Sequence, residues 1–167
     1  MTKQLAARQP RLPRPSETAG SLSIDPERFE DIADELPVLF ARYGVELGKA
    51  ETEPDWKQLF QMAAVGTLRV VTLRDAGVLV GFAISVIGPH LMYRTVPHGM
   101  TIAVYMDKAY RTGWTGLKFL AKNRDILRQW GCKRISVGED ATQPKSLRKV
   151  YERLGYKMAE YLYDMRL

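Results

Sequence analysis

At Thr67 the spacing of the apolar residues changes, and that change limits the chain to folds that combine helices with a sheet. Before it, Phe29, Ile32, Leu36, Leu39, Phe40 and Tyr43 recur at helical spacing around Pro37, which predicts a kinked helix or two short ones, ended by Gly44. Ser23-Ile24-Asp25-Pro26 reads as the helix start, with Asp25 as N-cap and Pro26 in the first turn. A second helix is expected over residues 54–64, burying Trp56, Leu59, Phe60 and Met62. After Thr67, residues 68–73 and 78–86 are rich in β-branched side chains and joined by Asp75-Ala76-Gly77, the pattern of an antiparallel hairpin. The remaining order is a strand over 101–106, a helix over 115–130 stopped by Gly131, a strand over 133–137, a helix over 145–154 and a terminal strand over 156–167. No segment repeats another.

A chain of 167 residues with 46% hydrophobic content can fill one sizeable core, so one domain is expected. Residues 1–22 stand apart, because Lys3, Arg8, Arg11, Arg14 and three prolines come with few large apolar groups to repay the entropy of ordering. They read as a flexible basic arm ahead of a domain over 23–167, suited to a protein partner with an acidic groove. The net charge of +6 favours acidic partners in general. Aromatic and basic residues do not interleave regularly, which argues against a base-stacking nucleic-acid module. The single cysteine, Cys132, cannot form an internal disulfide and has no histidine beside it in sequence, so a reducing, cytoplasmic setting is expected and a catalytic thiol is not. The longest apolar stretch, residues 77–88, is too short to cross a bilayer and reads as a buried strand. The N-terminal charges lead into no apolar core, so no secretory signal is expected.

The chemistry concentrates between residues 104 and 116, where a strand passes through a glycine-bearing turn into a basic helix. Open backbone N–H groups at a helix start, the positive end of its dipole and small residues that allow close approach together suit a pyrophosphate.

The order of segments from residue 67 to 167, with Arg111-Thr112-Gly113-Trp114-Thr115-Gly116 after the strand and Tyr151 ahead of Gly155-Tyr156, resembles the GNAT superfamily of acyl-coenzyme A-dependent N-acyltransferases. Within it the chain looks most like small GNAT-like proteins of bacteriophages, on Arg-x-Gly-Trp at 111–114 and the ending Glu-x-x-Tyr-x-x-Arg-Leu at 160–167. The resemblance implies an α/β (α+β) fold with a central mixed, mostly antiparallel twisted sheet flanked by helices. It implies acetyl-CoA as co-substrate, no metal, and an amine-bearing acceptor that the sequence does not identify. A homo-oligomer is compatible with this reading, and a phage-encoded protein would work in the host cytoplasm or the virion.

By the same resemblance, Arg111, Thr112, Gly113, Trp114, Thr115 and Gly116 would present amides to the pyrophosphate, and Tyr105 and Met106 would pair through their backbones with the pantetheine arm. Lys118 and Lys122 would reach the adenosine phosphate. Tyr151 stands where the family often keeps a general acid for the departing thiolate; an interior aromatic on an amphipathic helix is the other reading. Glu139 and Asp140, after the last inner strand, and His98 and Tyr93, expected in a loop before the cofactor strand, are candidates for accepting the amine proton. Two positions depart from the family pattern: Trp114 replaces a loop glycine, and Pro144 replaces the asparagine that commonly opens the tyrosine helix. With the basic arm, these departures also suit a catalytically silent binding or virion-assembly protein.

Overall fold

The computed structural model describes residues 22–48, 53–90, 92–139 and 147–159. The elements are β1 (Leu22–Glu27), α1 (Phe29–Ile32), α2 (Leu36–Glu46), α3 (Trp56–Ala64), β2 (Leu68–Asp75), β3 (Val78–His90), β4 (Tyr93–Met106), a 3-10 turn (Lys108–Tyr110), α4 (Thr115–Gln129), β5 (Arg134–Val137) and α5 (Arg148–Arg153). The strands form one sheet in the order β1-β2-β3-β4-β5, antiparallel from β1 to β4 and parallel between β4 and β5.

Each face of the sheet carries its own apolar layer. On one, Phe29, Ile32, Leu36, Leu39 and Phe40 pack on Leu68, Val70, Phe82, Ile84 and Tyr105, with α3 covering the edge through Trp56 and Leu59. On the other, Phe119 and Ile126 of α4 pack with Tyr110 on Val71, Leu73, Val80 and Ala83. Burying both faces is what makes β3 read as an almost continuous apolar run.

The two short helices around Pro37 form as expected, with Pro37 in the first turn of α2, where a missing N–H costs no helical bond. The start of this region is different. Ser23-Ile24-Asp25-Pro26 lies in β1, paired with β2 through Asp25↔Thr72 and Pro26↔Val71, and Thr72 Oγ1 donates to the Asp25 carbonyl at 3.2 Å. At the end of the described sheet a proline deprives no further strand of a partner, so Pro26 is tolerated there and the helix starts later, at Phe29. Gly44 does not end α2. It is buried inside the helix, which runs on to Glu46, and the left-handed residue after it is Gly48, φ +66°. Phe60 is 41% exposed, although its ring meets Phe29 edge-on at 5.1 Å.

The hairpin and β4 are longer than the β-branched runs suggest. Tyr93 and His98 belong to β4 and not to a loop, with Pro97 opposite Pro89 in the antiparallel ladder. Gly99 fits there because a Cβ at that position would come within 2.9 Å of Cys132 Sγ. Cys132 itself is buried, and burial pushes its thiol pKa up, away from nucleophilic chemistry. Helix α5 covers the middle of the expected 145–154 segment, residues 156–159 have no regular structure, and residues 1–21 of the arm, Asp140, Pro144 and the ending at 160–167 lie outside the described residues, while Leu22, expected in the arm, opens β1.

Candidate active site

β4 and β5 run together only from His98↔Arg134 to Thr101↔Val137. Beyond that point β4 continues to Met106 bonded to β3 alone among the described residues, so the sheet opens into a wedge. The parting coincides with a bulge. The β3 register steps from Ile84↔Ala103 to Ser85↔Thr101, leaving Ile102 unmatched and 47% exposed. A cavity of about 290 Å³ fills the wedge, lined by β4 from Thr101 to Val104, by Val137 at the end of β5 and Gly138 and Glu139 after it, by Tyr43 of α2 and Leu47 just past its end, and by Leu147 and Tyr151.

At the far end of β4, the Asp107 N–H donates to the Val80 carbonyl at 2.9 Å. Strand alternation therefore turns the backbone groups of Val104 and Met106 toward the open side, where the Met106 carbonyl accepts from Arg111 Nε at 2.6 Å. The Arg111 guanidinium also meets Glu46 Oε2 at 2.7 Å and lies 5.4 Å from the Tyr105 ring centre. Its side chain thus fastens the turn to α2 instead of extending outward. The Tyr105 hydroxyl donates to Glu46 at 3.2 Å, its ring packs on Tyr43 and Phe82, and its backbone faces Phe82 in the β3 ladder, so the expected backbone pairing of Tyr105 with a ligand falls instead to its neighbours Val104 and Met106.

Two groups fix the turn itself. Asp107 accepts from the Ala109 N–H at 3.0 Å and from Arg42 at 2.7 Å, while Tyr110, buried, donates to Asp75 at 3.0 Å. Burial, with Asp75 adding to it, pushes the Tyr110 hydroxyl up to about 12. Gly113 then takes φ +56°, and Trp114 follows at φ −97° as the residue preceding α4, 66% exposed. The left-handed position the turn needs is supplied one residue earlier than the family pattern expects, so tryptophan at 114 is unstrained. The N–H groups of Thr112, Gly113, Trp114, Gly116 and Leu117 make no backbone hydrogen bond among the described residues, leaving five donors at the positive end of a 15-residue helix, whereas the expected amides of Arg111 and Thr115 are spent on the Lys108 and Thr112 carbonyls. Gly116 sits against β4, where an added Cβ would meet Met106 Cε at 3.1 Å. Lys118 and Lys122 are exposed on α4. These groups fit a pyrophosphate with a basic flank.

Tyr151 is buried, its ring 5.8 Å from Tyr156, and it lines the wedge beside β4. Burial, then the charge of Glu139, raises its pKa well above the ordinary tyrosine value, so the phenol keeps its proton at neutral pH. Glu139 is exposed and accepts from the Leu147 N–H ahead of α5. The structure therefore brings Tyr151 and Glu139 together at one cavity. His98 is separate: its Nε2 lies 2.9 Å from Ser136 Oγ, its ring is 5.1 Å from His90, and it does not line the wedge. The α2 residues Arg42, Tyr43, Glu46 and Leu47 carry no motif. Their only signal in sequence is the i, i+4 pairing of Arg42 with Glu46 and of Tyr43 with Leu47 on one helix.

The mixed sheet splits beside a bulge, with an amide-lined helix start at the mouth of the split. The chain belongs to the acetyltransferase (GNAT) family, whose model matches residues 29–156. No curated protein matches the sequence. Among solved structures, an aminoglycoside acetyltransferase from an uncultured soil metagenomic sample superposes with a TM-score of 0.69 at 16% identity, covering 88% of this chain and 99% of its own. A ribosomal-protein-alanine N-acetyltransferase from Brucella melitensis biovar Abortus 2308 gives 0.66 at 19% identity, with 88% and 99% covered. An aminoglycoside N-acetyltransferase, AAC(6')-Iy, in complex with CoA gives 0.69 at 14% identity, with 91% and 98% covered. At these identities the likeness is one of fold.

Proposed function

We propose that the protein is an N-acyltransferase that moves an acetyl group from acetyl-CoA to an amine acceptor by direct transfer. The observation that carries this reading is that Tyr151 and the edge of β4 left unpaired among the described residues face one cavity. Family membership supports it, as do the open amides at the start of α4 and the CoA bound by a protein of the same fold.

Acetyl-CoA brings an acetyl group already activated as a thioester. The amides of Gly113, Trp114, Gly116 and Leu117 would hold its pyrophosphate, and the open backbone groups of Val104 would orient the arm that carries the thioester. A neutral amine attacks the acetyl carbon, the new C–N bond forms and the C–S bond breaks. Tyr151 gives its proton to the departing sulfur and regains one from solvent, while the amine's surplus proton leaves to Glu139 through water. The cavity wall would bring the two reactants into contact.

Acetyl-CoA should raise the melting temperature of the purified chain, because a ligand that binds only the folded state stabilises it by mass action. Millimolar acetyl-CoA that moves neither the melting temperature nor a calorimetric titration would overturn the reading.

A further inference from the structure

Transfer of an acetyl group from acetyl-CoA leaves the acceptor amine unspecified, and any choice of acceptor rests on that proposed activity. The described residues of the cavity wall supply little negative charge. Among its described lining residues Glu139 is the single carboxylate, and the rest of the acceptor side is Tyr43, Leu47, Ile102, Leu147 and Tyr151. Two further carboxylates stand near α2, but both are already matched by cations. Glu46 holds Arg111 at 2.7 Å and Lys108 at 3.9 Å, and Asp107 holds Arg42 at 2.7 Å. Neither offers a free anion to an incoming ligand.

The apolar side chains at the mouth are open to solvent: Ile102 is 47% and Leu147 40% exposed. They offer surface for an apolar body to bury. The whole chain carries a formal charge of +6, which disfavours the approach of a polycation.

We infer that the acceptor is a monoamine: one amino group on an apolar, aromatic or branched-aliphatic body. A polycationic amino sugar or polyamine would bring several ammonium groups to a wall that has one carboxylate among its described residues, and each unmatched ammonium would lose hydration without a partner. A monoamine asks for one anionic contact, which Glu139 supplies, and its body gains from leaving water against Leu47, Ile102 and Leu147. The amino sugars acetylated by proteins of similar fold are therefore the wrong class for this cavity.

The test uses the full chain, acetyl-CoA and release of free thiol. 2-Phenylethylamine and 3-methylbutylamine are compared with spermidine and kanamycin. Both monoamines should show kcat/KM at least about tenfold above either polycation, the effect of one unmatched charge at about 1.4 kcal/mol. Leu47→Glu and Ile102→Glu, each checked for an unchanged melting temperature, should shift the ratio toward spermidine by adding a second carboxylate. A polycation used as well as or better than the monoamines would overturn the inference, and so would an absence of monoamine turnover while acetyl-CoA still stabilises the fold. Loss of acetyl-CoA binding itself would instead sink the functional reading beneath it.

Discussion

Arg42 Nη1 lies 2.7 Å from Asp107 Oδ2 across 65 positions of sequence, and both side chains are mostly buried. The contact ties the helix that walls one side of the cavity to the residue that follows β4 and starts the turn ahead of α4. One turn further along α2, Glu46 repeats the tie through Arg111. Arg42 and Glu46 thus form one stripe of α2 facing the turn, while Tyr43 and Leu47 form the next, facing the cavity.

Arg42→Ala should therefore cost about 1 to 3 kcal/mol, because it leaves the Asp107 carboxylate buried without its partner. For a domain of this size each kcal/mol lowers Tm by roughly 2 to 4 °C. It should also weaken acetyl-CoA binding, since Asp107 shapes the turn. A variant with wild-type Tm and affinity would show that the pair contributes nothing net.

Gly113 bears the left-handed conformation of the turn, at φ +56°, with open space where a Cβ would be. Gly113→Ala should cost about 1 to 2 kcal/mol from backbone strain alone and reduce acetyl-CoA affinity. Trp114→Gly, at a negative φ, should leave the turn intact. The reverse pattern in a paired binding titration would place the critical position at 114.

Much of this was legible in the sequence because it is local. The change of period at Thr67, the Asp75-Ala76-Gly77 turn and the strand-turn-helix around Gly113 are all set by neighbours within a few residues. What was hidden depends on distant partners. Ser23-Ile24-Asp25-Pro26 satisfies helix-start chemistry, yet it is a strand because β2 offers a ladder 47 positions away. Pro97 and Gly99 look like loop residues, but β4 accepts them, the glycine because Cys132 fills the space above it. The cavity-facing role of Tyr43 and Leu47 shows locally only as an i, i+4 spacing, because it arises from packing α2 against a wedge built far downstream in the chain.

Arg74 clamps Glu27 with two hydrogen bonds, of 2.7 and 2.9 Å, and Thr72 donates to the same carboxylate. The Arg74 bonds are the main cause holding the Glu27 pKa below its ordinary 4.5. The unfolded chain then binds more protons in the window below 4.5, so this contribution is complete above that value and is lost as pH falls through the folded pKa. Urea midpoints measured from neutral pH down through the carboxylate range should fall along an acid limb, and Glu27→Gln should be less stable at neutral pH with a shallower limb. An unchanged limb would assign acid sensitivity to other carboxylates.

Tyr151 is held neutral first by its burial and then by the Glu139 charge, with smaller effects from Tyr156 and Tyr43. If it protonates the departing sulfur, Tyr151→Phe should lower kcat by about 10²- to 10⁴-fold while KM for acetyl-CoA and Tm stay near wild type, because the hydroxyl acts only as the C–S bond breaks. The pH profile separates this role from simple packing. A general acid with a raised pKa remains competent as pH climbs, so kcat should show no basic limb until above the ordinary tyrosine value of 10.0. Removing the Glu139 charge takes away one cause of the upward shift, so Glu139→Gln should move that limb to lower pH; the same substitution in a Tyr151→Phe background should move nothing. An unchanged kcat in Tyr151→Phe would make Tyr151 a wall of the cavity, with the thiolate leaving unprotonated.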